Sequence, residues 1–221
     1  MNALERSLAA DEQLAPMTSG SRHQPSAILR IGFDAAIAAL ALFLLAPLLA
    51  IVALLVRLDS PGPALFRQTR TGLNGRAFLI YKFRTMQVQE NGAVVAQARR
   101  GDARLTRLGG LLRSTSLDEL PQLINVLRGE MALVGPRPHA LAHDRHYGAL
   151  LSAYHGRFAV RPGITGWAQV NGSRGGTPRL ADMQRRVEFD LWYVENRSFA
   201  LDLRILVATA IHIMPGRSDA Y

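Results

Sequence analysis

From Ala35 to Val56 the chain runs without a charged side chain. As a helix this stretch is about 33 Å long, close to the thickness of a bilayer's hydrocarbon core. A buried helix of a soluble domain of this length carries a polar stripe, and this segment has none. A secretory leader is also a poor fit, because Glu5, Asp11 and Glu12 precede the run and no small-residue cleavage site stands before the charged "RLD". Pro47 lies near its middle, where it removes a backbone hydrogen bond and predicts a kink. Arg22 and Arg30 lie before the run, and Arg57, Arg67, Arg70, Arg76, Lys82 and Arg84 follow it. The positive-inside rule therefore assigns both flanks to the cytoplasmic side, which a helix that enters and returns at Pro47 satisfies over residues 28–57. The competing arrangement is a plain kinked span with the preceding tail outside.

Residues 1–27 mix Ser, Pro, Gln, His and both charges without apolar period and read as a disordered tail. After the turn-rich "DSPGP", the segment "ALFRQTRTGLNGRAFLIYKFRTM" predicts two strands around "GLNG". Alternation along its end sends Tyr81 and Phe83 to one face and the cations Lys82 and Arg84 to the other. "GDARLTRLGGLLRSTS" sets Leu105, Leu108, Leu111 and Leu112 on one helical face, weakened by Gly109 and Gly110. Leu120, Leu123, Ile124 and Leu127 continue the helical period up to a stop at Gly129. "GEMALVGPRPHA" reads as a short apolar strand and turn, and the glycines of "RPGITGWAQVNG" suit close backbone approach. The uncharged C-terminal run after Arg204 is too short to span a membrane and belongs in the interface or on the core.

Composition narrows the chemistry. With 221 residues there is room for one ordinary domain, here residues 58–221. A net charge of +9, carried almost wholly by Arg, points to a polyanionic partner: nucleic acid, an anionic membrane face or a phosphate-bearing substrate. The absence of cysteine excludes disulfides, thiolate catalysis and Cys-based zinc sites.

Candidate chemistry centres on "SLDELPQL". Pro121 is tolerated only in a first turn, so the helix is expected to begin near Asp118 rather than at Ser116, despite the capping-box spacing of Ser116 and Glu119. Asp118 and Glu119 then sit at the positive end of the helix dipole, about 100° apart, so that one can face a phosphate while the other holds a metal. An isolated Asp-Glu pair is usually only a cap and a favourable first-turn acid. Downstream, Pro136 and Pro138 bracket Arg137 and preorganise it for bidentate phosphate contact.

Taken together, "YKFRTM", "DARLTRLGGLLRSTSLDELPQLINVLRGEMALVGPRP", "RPGITGWAQVNG" and "RRVEFDLWYVENRSFALDLRIL" resemble the bacterial sugar transferases, the monotopic polyprenyl-phosphate hexose-1-phosphate transferases, from about Ile28 to the C-terminus. The resemblance implies transfer of a sugar 1-phosphate from a UDP-hexose to undecaprenyl phosphate at the cytoplasmic face of the bacterial inner membrane, with release of UMP. It implies that Asp118 is the nucleophile of a covalent phosphosugar intermediate, and that Asp118 and Glu119 form a Mg²⁺-dependent site. It also makes Arg113 and Arg137 phosphate-facing. Lys82 and Arg84 are weaker candidates for phosphate or headgroup contact, Glu188 and Asp190 for donor binding, and Arg161 could equally be structural. Family members best known for re-entrant helices carry Ser before the membrane proline, where this chain has Ala46.

The expected molecule is therefore an α+β, monotopic membrane enzyme: a broken hydrophobic helix bearing a small cytoplasmic catalytic domain with interfacial amphipathic helices. The expected product feeds exopolysaccharide, capsule or lipopolysaccharide O-antigen synthesis, and a homo-oligomer is left open. Two rivals are a nucleic-acid-binding membrane regulator, which needs no Asp118, and a non-catalytic scaffold, against which the intact dyad and "GPRP" count. No nucleic-acid partner is expected.

Overall fold

In the computed structural model, residues 25–87, 97–98 and 101–213 are described; most of the expected N-terminal tail, residues 1–24, lies outside them. The apolar run forms α1, Pro25–Asp59. Its flank faces outward in most of its length, with Phe43 79% exposed among Leu40, Leu44, Ile51 and Leu54. This is the reverse of a soluble core helix, and its length and composition are those of a membrane segment. The expected break at Pro47 is corrected: the helix runs through it. A proline costs one hydrogen bond, and the turns on either side are held by packing. Phe33, Ala38, Ala41 and Leu42 before the proline join one core cluster, and Leu49, Val52, Ala53 and Val56 after it join a second. Ion pairs fasten the first arm, Arg30 to Asp202 and Asp34 to Arg161, each at 3.5 Å.

The "GLNG" segment turns between β1, Leu65–Thr71, and β2, Ala77–Phe83, paired antiparallel from Leu65↔Phe83 to Thr71↔Ala77. Asn74 and Gly75 take the left-handed conformations that close the turn, φ 53° and 77°. Phe78 and Ile80 of β2 enter the main core, and Phe83, on the opposite face, enters the α1 cluster with Leu112.

After α2, Arg107–Thr115, come a 3₁₀ turn, Leu117–Gln122, and α3, Leu123–Leu127. A parallel pair follows, β3 (Ala132–Val134) with β4 (Gly163–Thr165). Here a glycine is obligatory: a Cβ on Gly163 would stand 2.0 Å from the backbone nitrogen of Gly135. Between the two strands lie α4, Leu141–Leu150, and a 3₁₀ turn, Tyr154–Ala159. The chain then forms α5, Trp167–Val170, α6, Leu180–Asn196, and α7, Phe199–Ile213. On α7, Leu201 and Ile205 are buried while Leu203, Val207 and Ile211 are exposed, so this helix packs on the core and also presents an apolar face. Mixed helix and sheet, with one long apolar helix attached, is the architecture observed.

Candidate active site

The dyad is positioned by what precedes it. Thr106 caps α2, its hydroxyl accepting from Gly109 N at 3.0 Å. Gly109 lets α2 lie directly on the backbone of Thr85, whose carbonyl oxygen would be 2.1 Å from an added Cβ. At Ser116 the chain flips to φ 59° and enters the 3₁₀ turn that carries Asp118 and Glu119. The single helix expected from Asp118 onward is therefore two pieces. Pro121, with no N–H to give, sits in the tight turn, and α-helical bonding begins only after it. Ser116 caps nothing, and its hydroxyl receives a hydrogen bond from Arg174 instead.

The two carboxylates occupy different environments. Glu119 accepts from Lys82 Nζ at 2.6 Å and from both terminal nitrogens of Arg137, at 3.0 Å and 2.5 Å. Burial alone would raise its pKa, but the Arg137 and Lys82 charges and hydrogen bonds outweigh this and hold it well below the usual carboxylate range. Asp118 is 6% exposed and has no comparable clamp. Burial, reinforced by the Glu119 charge, pushes it up to about 6 against the pull of Lys82, Arg113 and Arg137.

Asp118 and Glu119 open on a cavity of about 240 Å³ lined also by Arg70, Lys82, Arg113, Arg137, Arg174 and Arg186. So many cations around two acids favour an anionic group in this cavity, whose volume suits phosphate groups rather than a duplex. Behind it, the Arg137 carbonyl accepts from Arg157 at 2.7 Å, and Arg157 is locked by Asp190 at 2.6 Å, both buried. Tyr154 hydroxyl donates to Asp144, which also accepts from Thr71, each at 2.7 Å.

The structure gathers Lys82, Arg84, Arg113, Asp118, Glu119 and Arg137 at one cavity and leaves Asp190 and Glu188 outside its lining. The Arg84 guanidinium donates to the carbonyls of Val56, Ser60, Pro61, Gly62 and Pro63, so backbone occupies much of the fork expected to meet phosphate. Asp190 is paired with Arg157. Glu188 lies on the exposed side of α6, accepting from Gln184. Arg161 takes the structural role, bound to Asp34. The sequence reading missed Arg70, His139, Arg174 and Arg186. For Arg186 a signal exists, because it shares the buried stripe of α6 with Met183, Val187 and Asp190, where a cation needs a reason.

Residues 25–216 match the family described as bacterial sugar transferase. The UDP-glucose:undecaprenyl-phosphate glucose-1-phosphate transferase of Escherichia coli K12 is 52% identical over 182 residues, covering 82% of this chain and 39% of that protein. The protein of the same name from Caulobacter vibrioides is 55% identical over 176 residues, 80% of this chain and 66% of the relative. A UDP-N-acetylgalactosamine-undecaprenyl-phosphate N-acetylgalactosaminephosphotransferase of Aeromonas hydrophila is 41% identical over 192 residues, 86% and 44% of the two lengths. This chain spans less than two thirds of each.

Proposed function

The chain belongs to the bacterial sugar transferase family, and from that premise we propose that it transfers a hexose 1-phosphate from a UDP-sugar to undecaprenyl phosphate, releasing UMP, as the initiating membrane step of a surface polysaccharide. The observation that carries the reading is the asymmetric dyad: Glu119 is neutralised by Arg137 and Lys82, while Asp118 faces the same cavity unclamped.

An Asp118 carboxylate oxygen attacks the phosphorus that bears the sugar. A new oxygen–phosphorus bond forms as the bond to the bridging oxygen breaks, and UMP leaves with that electron pair. Arg113 and Arg137 offset the repulsion between the attacking anion and the diphosphate. An oxygen of undecaprenyl phosphate then attacks the same phosphorus, making the lipid diphosphosugar and returning the Asp118 carboxylate. Splitting the transfer in this way means that donor and acceptor need not react in one crowded complex.

A Mg²⁺ ion goes with this reading, since it is commonly held by one or two carboxylates with substrate phosphates and water completing the shell, and Asp118 is the carboxylate left unclamped. Asp118 and Glu119 would hold it, and when bound it supplies further neutralisation of diphosphate charge.

The assignment of residues 28–57 to the membrane and 58–221 to catalysis at the cytoplasmic face of the inner membrane goes with this reading. It is supported by the docking of both arms of α1 on one domain.

Asp118→Asn removes the nucleophile but keeps the shape. Purified protein with undecaprenyl phosphate, Mg²⁺ and a panel of UDP-sugars is expected to release UMP, and the variant to lose at least about 10³-fold in turnover with unchanged membrane association. Retention of near-normal turnover by the variant would rule out the covalent route.

A further inference from the structure

A second cavity, of about 460 Å³, adjoins the catalytic one and shares Ser116, Glu119, Arg174 and Arg186 with it. The partition is segment 173–176. Arg186 holds it by donating to the carbonyls of Ser173 at 3.1 Å and Gly175 at 2.5 Å, and Arg174 reaches from it to Ser116. Away from this cationic seam Leu123, Leu133, Ile164, Val170 and Leu206 line the cavity together with Gln169, Asp182, Arg185 and His212, and the buried Gln169 Oε1 has no partner among the described residues. The hydroxyls of Thr165 and Thr209, which also line it, bond each other at 2.6 Å and present no unmet demand. Its outer wall is α7, the helix that exposes Leu203, Val207 and Ile211.

A cationic seam at one end and hydrocarbon at the other complement an amphiphile with an anionic head. We propose that this cavity receives the first isoprene units of the polyprenyl phosphate acceptor, with the lipid phosphate at Arg174, which Arg186 positions through segment 173–176, so that acceptor and nucleotide sugar reach Asp118 through separate doors. The proposal rests on the transferase reading above and adds the acceptor's route. α7 joins the cavity to the membrane: its inner side lines the pocket, and its outer side is apolar enough to lie against lipid.

The test uses the full chain in phospholipid nanodiscs with a benzophenone-bearing farnesyl phosphate. Photolabel is expected in peptides 164–177 and 201–212 and is expected to be competed away by undecaprenyl phosphate. Label confined to α1, or competed only by the UDP-sugar, overturns the proposal. In parallel, Leu206→Trp and Val170→Trp fill the cavity. KM for undecaprenyl phosphate is expected to rise about tenfold or more, the cost of displacing one or two buried methylene groups. The KM for UDP-sugar and the stoichiometric UMP burst without acceptor are expected to stay within about twofold. An unchanged acceptor KM, or equal loss on the donor side, overturns it. Failure of the wild-type chain to turn over any UDP-sugar would overturn the transferase reading instead, and the photolabel still reads the cavity.

Discussion

Lys82 and Arg137 both spend their hydrogen bonds on Glu119, which leaves Asp118, one residue earlier on the same tight turn, to face the cavity without them. Adjacent acids, about 100° apart, were readable as a division of labour; which acid the cations would choose was not, because the partners come from β2 and from the turn after β3. His139 illustrates a residue that pattern reading passes over. Its Nδ1 accepts from Arg157 at 2.8 Å and its Nε2 faces Arg186 at 3.4 Å, two cations that favour the neutral ring. Burial first, and then the Arg157, Arg186, Arg70 and Arg137 charges, hold its pKa well below the ordinary value, although Asp144 lies 4.0 Å from the same Nδ1. In the unfolded chain the ring takes up a proton near pH 6.5, so the unfolded state binds more protons below that point. The stability contributed by neutral His139 is therefore present above about pH 6.5 and lost as pH falls. His139→Gln, which keeps an acceptor for Arg157, is expected to show a shallower fall in thermal midpoint between about pH 7.5 and about pH 5.5 than the wild type. Equal slopes would remove His139 from the acid sensitivity.

Arg84 belongs to the scale of elements. It follows β2 directly, and its guanidinium closes the C-terminal end of α1 and the chain after it by donating to five carbonyls. Arg84→Gln is expected to cost about 3 kcal/mol of stability, since the buried Val56 and Ser60 acceptors and three part-buried ones lose a charged donor together. The KM for UDP-sugar of the folded fraction is expected to be unchanged, whereas a rise in KM at unchanged stability would return Arg84 to the phosphate site. The element pattern itself was largely legible. The hairpin around "GLNG", the apolar α1 and the short strand before "GPRP" all follow from local period and turn chemistry. Three features escaped because they depend on distant partners: the change from 3₁₀ to α after Pro121, the need for Gly109 against Thr85, and the burial of Asp190 with Arg157. The last reads as an ordinary polar position until α6 is packed against the Tyr154–Ala159 turn.

For the whole molecule, the decisive feature is where the two ends of α1 are tied. Arg30 pairs with Asp202 on α7 and Asp34 with Arg161 before β4, while at the far end Asp59 accepts from Leu108 N at 3.1 Å. If α1 crossed the bilayer, Arg30 and Asp34 would lie on the far side of a hydrocarbon core about 30 Å thick, and both pairs would be lost. The exposed Phe43, Leu44 and Leu48 around Pro47 are a part of α1 open to lipid, and the proposal that goes with these pairs is a helix whose two ends lie on one face. The backbone acceptor freed by Pro47 then needs a partner at shallow depth, where water and headgroups reach it more easily than at the bilayer centre. Because the chain has no cysteine, single thiols report the arrangement without background. Arg22→Cys lies before α1, and Arg76→Cys sits in the exposed turn between β1 and β2. With a membrane-impermeant thiol reagent on intact cells, both positions are expected to stay unlabelled until the inner membrane is opened, and then to label together. Labelling of position 22 alone in intact cells would mean that α1 spans the bilayer, that its ion pairs with Asp202 and Arg161 do not form in the membrane, and that only the catalytic reading stands.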